Sequence, residues 1–193
     1  MSKIIRISLS EKRESLIKIL SLEYFNYYRA KGVCYLIKEL VTFLQRVIEK
    51  NTGVLLLANT ERDDLITGFL VAFPFSDYQQ LTGIYDFSGS DLLFSDNVFF
   101  IDSLIELSAG REINLPENLL TALEEILKSE KNFGKTISLV PENPKGYEES
   151  RHLSVLQKIG FKPEGEIFKE EVEFTRFGLR KVKKKYVLMG KKI

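Results

Sequence analysis

The sequence predicts an α+β fold built on a mixed, mostly antiparallel sheet, with a parallel pair of strands at its centre and about four flanking helices. Its 193 residues are the length of one ordinary domain, so we expect residues 1–193 to form a single unit. Apolar residues recur with a helical period in four segments and form β-type runs in seven others. The resulting order, β-α-α-β-β-β-α-β-α-β-β, contains a central β-α-β unit, which favours a parallel pair at the fourth and fifth strands.

The N-terminal third predicts one strand and two helices. The apolar run at residues 4–9 predicts the strand, and Ser8-Leu9-Ser10-Glu11 is typical of a capping box at a helix start. Gly32 separates the first helix, which reaches about Arg29, from a second that ends at residues 51–53. The apolar positions that define the two helices are Leu16, Ile17, Leu20 and Tyr24, then Val33, Leu36, Ile37, Leu40, Val41, Leu44, Val47 and Ile48.

The rest of the chain changes period. Residues 54–58 and 65–73 are β-rich runs around a polar turn and predict a hairpin. Residues 75–97 form a long polar and aromatic connection, which can hide a short helix and is expected to shape or cover a binding pocket. The remaining predicted elements are strand 98–107, helix 119–127, strand 135–140, helix 153–159 and strands 166–176 and 184–190.

Charge and cysteine content exclude several classes of protein. Lys and Arg total 28 against 27 Asp and Glu, and this near-neutral balance disfavours a nucleic-acid partner. One Cys and one His cannot form an internal disulfide or a Cys/His zinc site, so no metal is expected. No apolar run reaches the ~18 residues of a membrane span, and the first residues lack the apolar core of a secretory signal. We expect a cytoplasmic protein with no membrane partner, and a homodimer stays open.

Four strings carry a family resemblance. Three lie on predicted strands: Leu65-Ile66-Thr67-Gly68-Phe69, Phe100-Ile101-Asp102-Ser103-Leu104-Ile105, and Ile137-Ser138-Leu139-Val140 followed by Asn143. The fourth is the last predicted helix, which ends in Gly160-Phe161. In this order they resemble the GNAT superfamily of acyl-CoA-dependent N-acetyltransferases over nearly the whole chain. The resemblance implies that acetyl-CoA or a similar coenzyme A thioester is the co-substrate, and that a primary amine of a small molecule or peptide attacks it directly.

The resemblance also implies a cofactor site after the fourth strand. There the family holds the coenzyme A pyrophosphate on the N–H groups of a glycine-rich loop and a helix start. In this sequence Asn114 and Pro116 replace the two glycines, and Pro116 has no N–H. Asn114 with Glu117 is typical of a capping box, which satisfies a helix's own amides, so we expect weakened rather than abolished binding. The residues assigned to this site are Leu104, Ile105, Leu107, Arg111, Glu112, Ile113, Asn114, Leu115 and Asn143.

Catalytic candidates follow from the same resemblance. The family supplies a base for the ammonium proton and often a tyrosine acid for the departing thiolate. Asp102 and Glu106 are the candidate bases, and strand alternation predicts that both project from one face; solvated strand positions are the alternative. Leu156 stands where the usual tyrosine lies, so Tyr147 and His152 are the nearest replacements. A surface or helix-start role is the alternative for His152.

Aromatic side chains cluster near the end of the first predicted helix. The resemblance places a wall of the acceptor site in this region, which makes Tyr24, Tyr27 and Tyr28 candidate substrate-binding residues. The alternative is that these helical aromatics belong to the core. Cys34 lies on the periodic face of the second helix and is expected to be a buried small hydrophobe.

Two other functions stay open. The altered loop and Leu156 favour a non-catalytic GNAT-fold binding or interaction module with weakened or lost coenzyme A binding. A basic run near the C-terminus is a candidate surface for nucleic acid or an acidic partner. The glutamates that precede it favour instead a solvated hairpin with cross-strand ion pairs. The run consists of Arg176, Arg180, Lys181, Lys183, Lys184 and Lys185.

Overall fold

A computed structural model describes most of the chain. The described residues are 2–7, 13–30, 35–49, 53–60, 65–81, 85–87, 97–107, 114–130, 134–144, 147–176 and 178–193, with the backbone alone described for 2, 13–15, 79–80, 85–86, 147–149 and 174–175. The predicted capping box at residues 8–11 and Cys34 lie outside these ranges. None of the described helices is long and apolar enough to cross a membrane.

Eight described strands form one sheet in the order β1-β2-β3-β5-β6-β8-β7-β4. They are β1 (Ser2–Arg6), β2 (Val54–Thr60), β3 (Ile66–Pro74), β4 (Tyr85–Asp86), β5 (Val98–Glu106), β6 (Lys135–Pro141), β7 (Lys162–Thr175) and β8 (Gly178–Lys192). β5 and β6 are parallel, and the other paired neighbours are antiparallel. The predicted α+β fold with a central parallel pair is therefore confirmed. The two-residue β4 was not predicted, so the predicted fourth and fifth strands are β5 and β6.

Helices cover both faces of this sheet. They are α1 (Arg13–Ala30), α2 (Ile37–Glu49), α3 (Tyr78–Leu81), α4 (Leu115–Glu130) and α5 (Tyr147–Lys158). The four long ones match the four predicted helices, and the single turn of α3 lies in the long connection after β3. α5 begins upstream of its predicted start because its first turn is polar and carries no apolar period.

Two apolar clusters lie on opposite sides of the sheet. On one side, which we call the α1/α2 face, Leu20 of α1 and Leu44 of α2 pack in one cluster with Phe100. On the other, the α4/α5 face, Leu119 of α4 and Leu156 of α5 belong to a cluster with Phe99. The neighbouring residues Phe99 and Phe100 point to opposite faces, as strand alternation requires.

A bulge at Asp102 changes this alternation in β5. Ala72 of β3 lies opposite Ile101 and Val71 lies opposite Ser103, so Asp102 is an extra residue on β5. Before the bulge Phe100 belongs to the α1/α2 cluster, and after it Ile105 does. Even-numbered residues therefore change face at Asp102, and Leu104 belongs to the α4/α5 cluster.

The Gly160-Phe161 pair ends α5 in a Schellman motif. Gly160 has a positive φ of 98°, a conformation that glycine adopts without steric cost. Its N–H donates to the carbonyl of Gln157 at 3.0 Å, and the N–H of Phe161 donates to the carbonyl of Leu156 at 2.9 Å. Phe161 is buried, so the motif both stops the helix and directs the chain into β7.

Candidate active site

The parallel pairing of β5 and β6 covers only the first part of the two strands. It runs from the pair Val98–Lys135 to the pair Ile101–Ser138, whereas β5 continues to Glu106 and β6 to Pro141. In the described part of both strands the parallel ladder therefore ends at Ile101–Ser138, and beyond it β5 pairs only with β3 and β6 only with β8, so the edges that β5 and β6 turn toward each other have no ladder pairing. We call this opening the β5/β6 split. Main-chain groups of this kind can bind an extended ligand as they would bind another strand.

Asp102 lies at the head of the split and contacts α1. Tyr24 Oη donates to Asp102 Oδ2 at 2.5 Å, and Ser103 Oγ donates to the same oxygen at 2.7 Å. Burial raises the pKa of Asp102, and the hydrogen bonds from Tyr24 and Ser103 with the charge of Lys169 offset only part of that rise. A carboxylate whose pKa is raised is better matched to accept a proton from an ammonium group near neutral pH.

The three oxygens of this cluster also limit where its protons lie. Tyr24 Oη and Ser103 Oγ contact each other as well as Asp102, so the three oxygens form a closed triangle. The two hydroxyls supply two protons, and both are donated to Asp102 Oδ2, so the carboxylate accepts two hydrogen bonds within this cluster. Burial, with the negative charge of Asp102 second, raises the pKa of Tyr24 well above its usual value, so Tyr24 stays a neutral donor.

The predicted substrate-binding tyrosines lie around this triangle. Tyr24 and Tyr28 are stacked with their ring centroids 5.0 Å apart, and Tyr27 meets Tyr28 edge-on at 5.3 Å. Tyr28 Oη lies 3.4 Å from Ser103 Oγ. Tyr24 is a buried member of the α1/α2 core, whereas Tyr27 and Tyr28 are partly buried. Tyr24 therefore has the core position that was the alternative prediction, and it also donates a hydrogen bond to the candidate base.

An ionic cluster on β7 and β8, which the sequence did not predict, adjoins the tyrosines. Lys169 Nζ donates to Tyr35 Oη at 3.0 Å and lies 3.1 Å from Glu171 Oε1. Tyr186 Oη donates to Glu171, and Lys184 Nζ lies 2.9 Å from its other oxygen. Burial acts to raise the pKa of Glu171, but the charge of Lys169 and the hydrogen bonds from Tyr186 and Lys184 lower it overall. Glu171 is therefore a carboxylate at neutral pH.

The burial of this cluster corrects part of the predicted solvated hairpin. Lys169 and Glu171 are only 5% and 4% exposed, because they follow the buried Ile167 on alternate positions of β7. A predicted cross-strand ion pair exists elsewhere on the hairpin, where Lys185 lies 2.7 Å from Glu166. The alternation with Ile167 was the signal that could have identified the buried pair.

Glu106 lies on the opposite face from the Asp102 cluster. Its Oε2 is 2.8 Å from Arg151 Nη1 of α5, whereas Asp102 contacts Tyr24 of α1. The prediction that Asp102 and Glu106 project from one face is wrong, because the bulge at Asp102 shifts the alternation of the strand. The two candidate bases therefore belong to different sides of the split.

The candidate acids lie on α5. His152 is partly buried, Tyr147 is the first residue of the helix, and the side chain of Tyr147 lies outside the described part of the structure. Leu156, at the position where the family usually has tyrosine, is fully buried in the α4/α5 core.

The predicted cofactor residues divide between the β5 end, the α4 start and the chain after β6. Arg111, Glu112 and Ile113 lie outside the described residues. Leu104 and Leu115 are buried on the α4/α5 face, Ile105 is buried on the other face, Leu107 is partly buried and Asn143 is exposed.

The start of α4 lacks one of the amides that a helix N-terminus usually offers to an anion. Asn114 precedes the helix, and its carbonyl accepts the N–H of Asn118 at 3.0 Å, while Pro116 in the first turn has no N–H. Glu117 Oε1 contacts Lys158 at 3.2 Å, and its buried Oε2 has no hydrogen-bond partner among the described residues. The capping-box role predicted for Glu117 is therefore wrong. The split fits an extended pantetheine arm, and the start of α4 lacks the amide that Pro116 cannot supply.

Comparison with known proteins identifies the fold. No family model and no curated protein matches the chain, but solved structures do. The ribosomal-protein-alanine N-acetyltransferase from Brucella melitensis superposes with a TM-score of 0.66 at 14% identity, covering 99% of both chains. An N-acetyltransferase from Staphylococcus aureus Mu50 gives 0.64 at 12% identity, covering 100% of this chain and 98% of that chain. Arabidopsis thaliana NAA60 in complex with acetyl-CoA gives 0.62 at 12% identity, covering 100% and 99%. The chain therefore has the fold of the GNAT acetyltransferases.

Proposed function

We propose that this protein is an N-acyltransferase that moves an acetyl or similar acyl group from coenzyme A to a primary amine in the cytoplasm. The observation that carries the proposal is the position of Asp102 at the head of the β5/β6 split, where it accepts hydrogen bonds from Tyr24 and Ser103. Structures of the same fold contain acetyl-CoA and a bisubstrate analogue, which supports this class of reaction. The acceptor is proposed to be an amine on a small molecule or peptide.

Asp102 is the proposed general base. The thioester supplies a carbonyl carbon that a neutral amine attacks, with loss of the thiolate. Alkyl amines have a pKa near that of lysine, ~10.4, so at neutral pH they must lose a proton before they attack. Asp102 Oδ2 takes this proton, because burial raises its pKa and the Tyr24 and Ser103 hydroxyls fix its orientation. Tyr24 is thus a positioning residue for the base.

The two sides of the split have different proposed roles. On the α1/α2 face Tyr24, Tyr27 and Tyr28 form a wall for the acceptor. On the α4/α5 face the main chain of residues 102–106 binds the pantetheine arm. His152 and Tyr147 are the candidate proton donors to the thiolate, because Leu156 supplies no acid.

Amine-dependent release of the coenzyme A thiol from acetyl-CoA tests this proposal. The acceptors are free amino acids, short peptides and alkyl diamines. Asp102→Asn should lower kcat by about 10²–10⁴-fold, the usual contribution of a general base. Glu49→Gln, which changes an exposed carboxylate at the end of α2, should leave kcat unchanged. Equal loss in both variants, or no loss in Asp102→Asn, would contradict the assignment of the base.

A non-catalytic binding module is the second candidate. The buried Leu156 and the proline in the first turn of α4 favour it. Titration calorimetry with acetyl-CoA, combined with the turnover assay, separates the two. Binding without turnover of any amine supports the module, whereas turnover that requires an amine eliminates it.

A further inference from the structure

Two basic side chains of α5 contact the acids on either side of the β5–α4 connection. Arg151 Nη1 lies 2.8 Å from Glu106 Oε2, and Lys158 Nζ lies 3.2 Å from Glu117 Oε1. Glu106 is the last residue of β5, and Glu117 is in the first turn of α4. One helix therefore supplies a cation to each end of the segment that the resemblance assigns to the pyrophosphate. We call Arg151 and Lys158 the α5 cation pair.

The two cations lie along one side of α5. Residues seven apart are about two helical turns and roughly 10.5 Å apart along the axis, so both side chains leave α5 in nearly the same direction. The planar guanidinium of Arg151 binds phosphate oxygens in pairs, and the ammonium of Lys158 acts as a point charge. Arg151 is also constrained, because its side chain is only 20% exposed.

The acids now held by these cations resemble phosphate in their oxygen chemistry. A carboxylate and a phosphate accept the same charge-assisted hydrogen bonds from Arg and Lys. An incoming diphosphate therefore competes with Glu106 and Glu117 for their partners. Among the described residues at this point, Pro116 lacks an N–H, and the N–H of Asn118 already donates to the Asn114 carbonyl within α4.

We propose that the α5 cation pair, and chiefly Arg151, holds the diphosphate of the acyl donor in place of main-chain amides at the start of α4, with Glu106 and Glu117 as its partners when no ligand is bound. This inference rests on the proposed function, because it takes coenzyme A as the ligand. It adds to that function by naming the side chains that bind the diphosphate of coenzyme A. One consequence is unusual: the two acids act as competitors, so removing one of them strengthens binding.

Titration calorimetry with coenzyme A and with inorganic pyrophosphate tests the inference. Arg151→Gln should weaken the binding of both by about tenfold or more, the effect of losing a charge-assisted hydrogen bond. The affinity of Arg151→Lys should lie between those of the wild type and Arg151→Gln, because lysine keeps the charge but lacks the planar guanidinium. Glu106→Gln should strengthen binding severalfold. The control is Arg6→Gln, because Arg6 is also ion-paired with a glutamate, Glu130 at 2.5 Å, but lies on β1.

The outcomes separate the inference from the proposed function. If the wild-type protein binds coenzyme A and Arg151→Gln binds it equally well, the inference is wrong and the proposed function stands. If the wild-type protein binds neither coenzyme A nor acetyl-CoA, both the inference and the proposed function are wrong. Thermal unfolding checks that each variant is folded. If Arg151→Gln does not fold, Glu106→Gln decides, because unchanged or weaker binding in that variant overturns the competition.

Discussion

Tyr24 of α1 donates a hydrogen bond of 2.5 Å to Asp102 of β5, although the two residues are 78 positions apart in the sequence. The contact joins a core residue of a helix to the extra residue of a β-bulge. Because the buried phenol has a pKa well above its usual value, it remains a donor throughout the working pH range. Tyr24 therefore holds Asp102 Oδ2 in a fixed position and favours its charged form.

Tyr24→Phe should move the acidic limb of the pH profile of kcat/KM to higher pH. The lost hydrogen bond favours the carboxylate, so its removal raises the pKa of Asp102 further, and a higher pH is needed to generate the base. The pH profile is measured for the wild type, Tyr24→Phe and Tyr27→Phe. Tyr27→Phe is the control on the same helix, and its acidic limb should lie at the wild-type pH. An acidic limb at the wild-type pH in Tyr24→Phe would show that Asp102 is not the titrating group.

Asp102→Asn should stabilise the fold at neutral pH while it removes activity. Burial raises the pKa of Asp102 in the folded state above its unfolded value of about 3.9. Between these two values the folded protein holds the proton more tightly, so its free energy of unfolding falls as the pH rises through this window. An amide does not ionise and avoids this loss, which amounts to about 1.4 kcal/mol for each unit of pKa difference.

Urea unfolding at about pH 3 and about pH 7 measures this effect, because in the unfolded chain Asp102 is mostly uncharged at the lower pH and charged at the higher one. The stability of Asp102→Asn relative to the wild type should increase between the two conditions. The difference in the free energy of unfolding between Glu49→Gln and the wild type should be the same at both pH values. A relative stability that stays level or decreases for Asp102→Asn would mean that the folded protein ionises Asp102 without cost.

The fold was predictable because its signals are local. Helical stripes and β-type runs mark each long element, and their order is enough to place the parallel pair at the centre. β4 could not be predicted, because the two residues Tyr85–Asp86 are too few to show a hydrophobic period.

The site was only partly predictable. Asp102, Tyr24 and Tyr28 could each be selected from the sequence, but their contact depends on a bulge that no glycine or proline marks. For the same reason the strand pattern placed Glu106 on the wrong face. Lys169 and Glu171 lie in a run of Glu and Lys whose composition indicates solvent exposure, and only their alternation with Ile167 indicates burial.

Glu171→Gln should destabilise the protein by about 3–5 kcal/mol at neutral pH, the cost of breaking a buried ion pair. The change leaves Lys169, which is 5% exposed, without its carboxylate. Burial alone would raise the pKa of Glu171, but Lys169, Tyr186 and Lys184 lower it overall. The carboxylate therefore contributes stability above its unfolded pKa of about 4.3, and this contribution is lost as the pH falls through the folded value.

Glu173→Gln is the matched control for Glu171→Gln. Glu173 contacts the same Lys184 at 2.7 Å, but its side chain is 31% exposed, so its loss should cost about 0–1 kcal/mol. Denaturant unfolding of both variants across the acidic range gives the comparison. Equal costs, or a Glu171→Gln cost that grows as the pH falls below about 4, would contradict the buried ion pair.

Gly68→Ala should destabilise the protein by about 1–3 kcal/mol, as overpacking of a tight core does. Gly68 lies on β3 opposite Glu106, and a Cβ at this position would lie 2.7 Å from the Ile105 carbonyl oxygen and 3.0 Å from Leu115 Cδ2. The nearer atom belongs to the backbone, so β3 and β5 must move apart. The control is Gly134→Ala, where a Cβ meets nothing within 4 Å and the lost chain entropy of the unfolded state makes the change neutral or slightly stabilising. Because the clash lies between β3, the end of β5 and the start of α4, Gly68→Ala should also weaken coenzyme A binding in calorimetry. A variant as stable as Gly134→Ala would show that the two strands separate without cost.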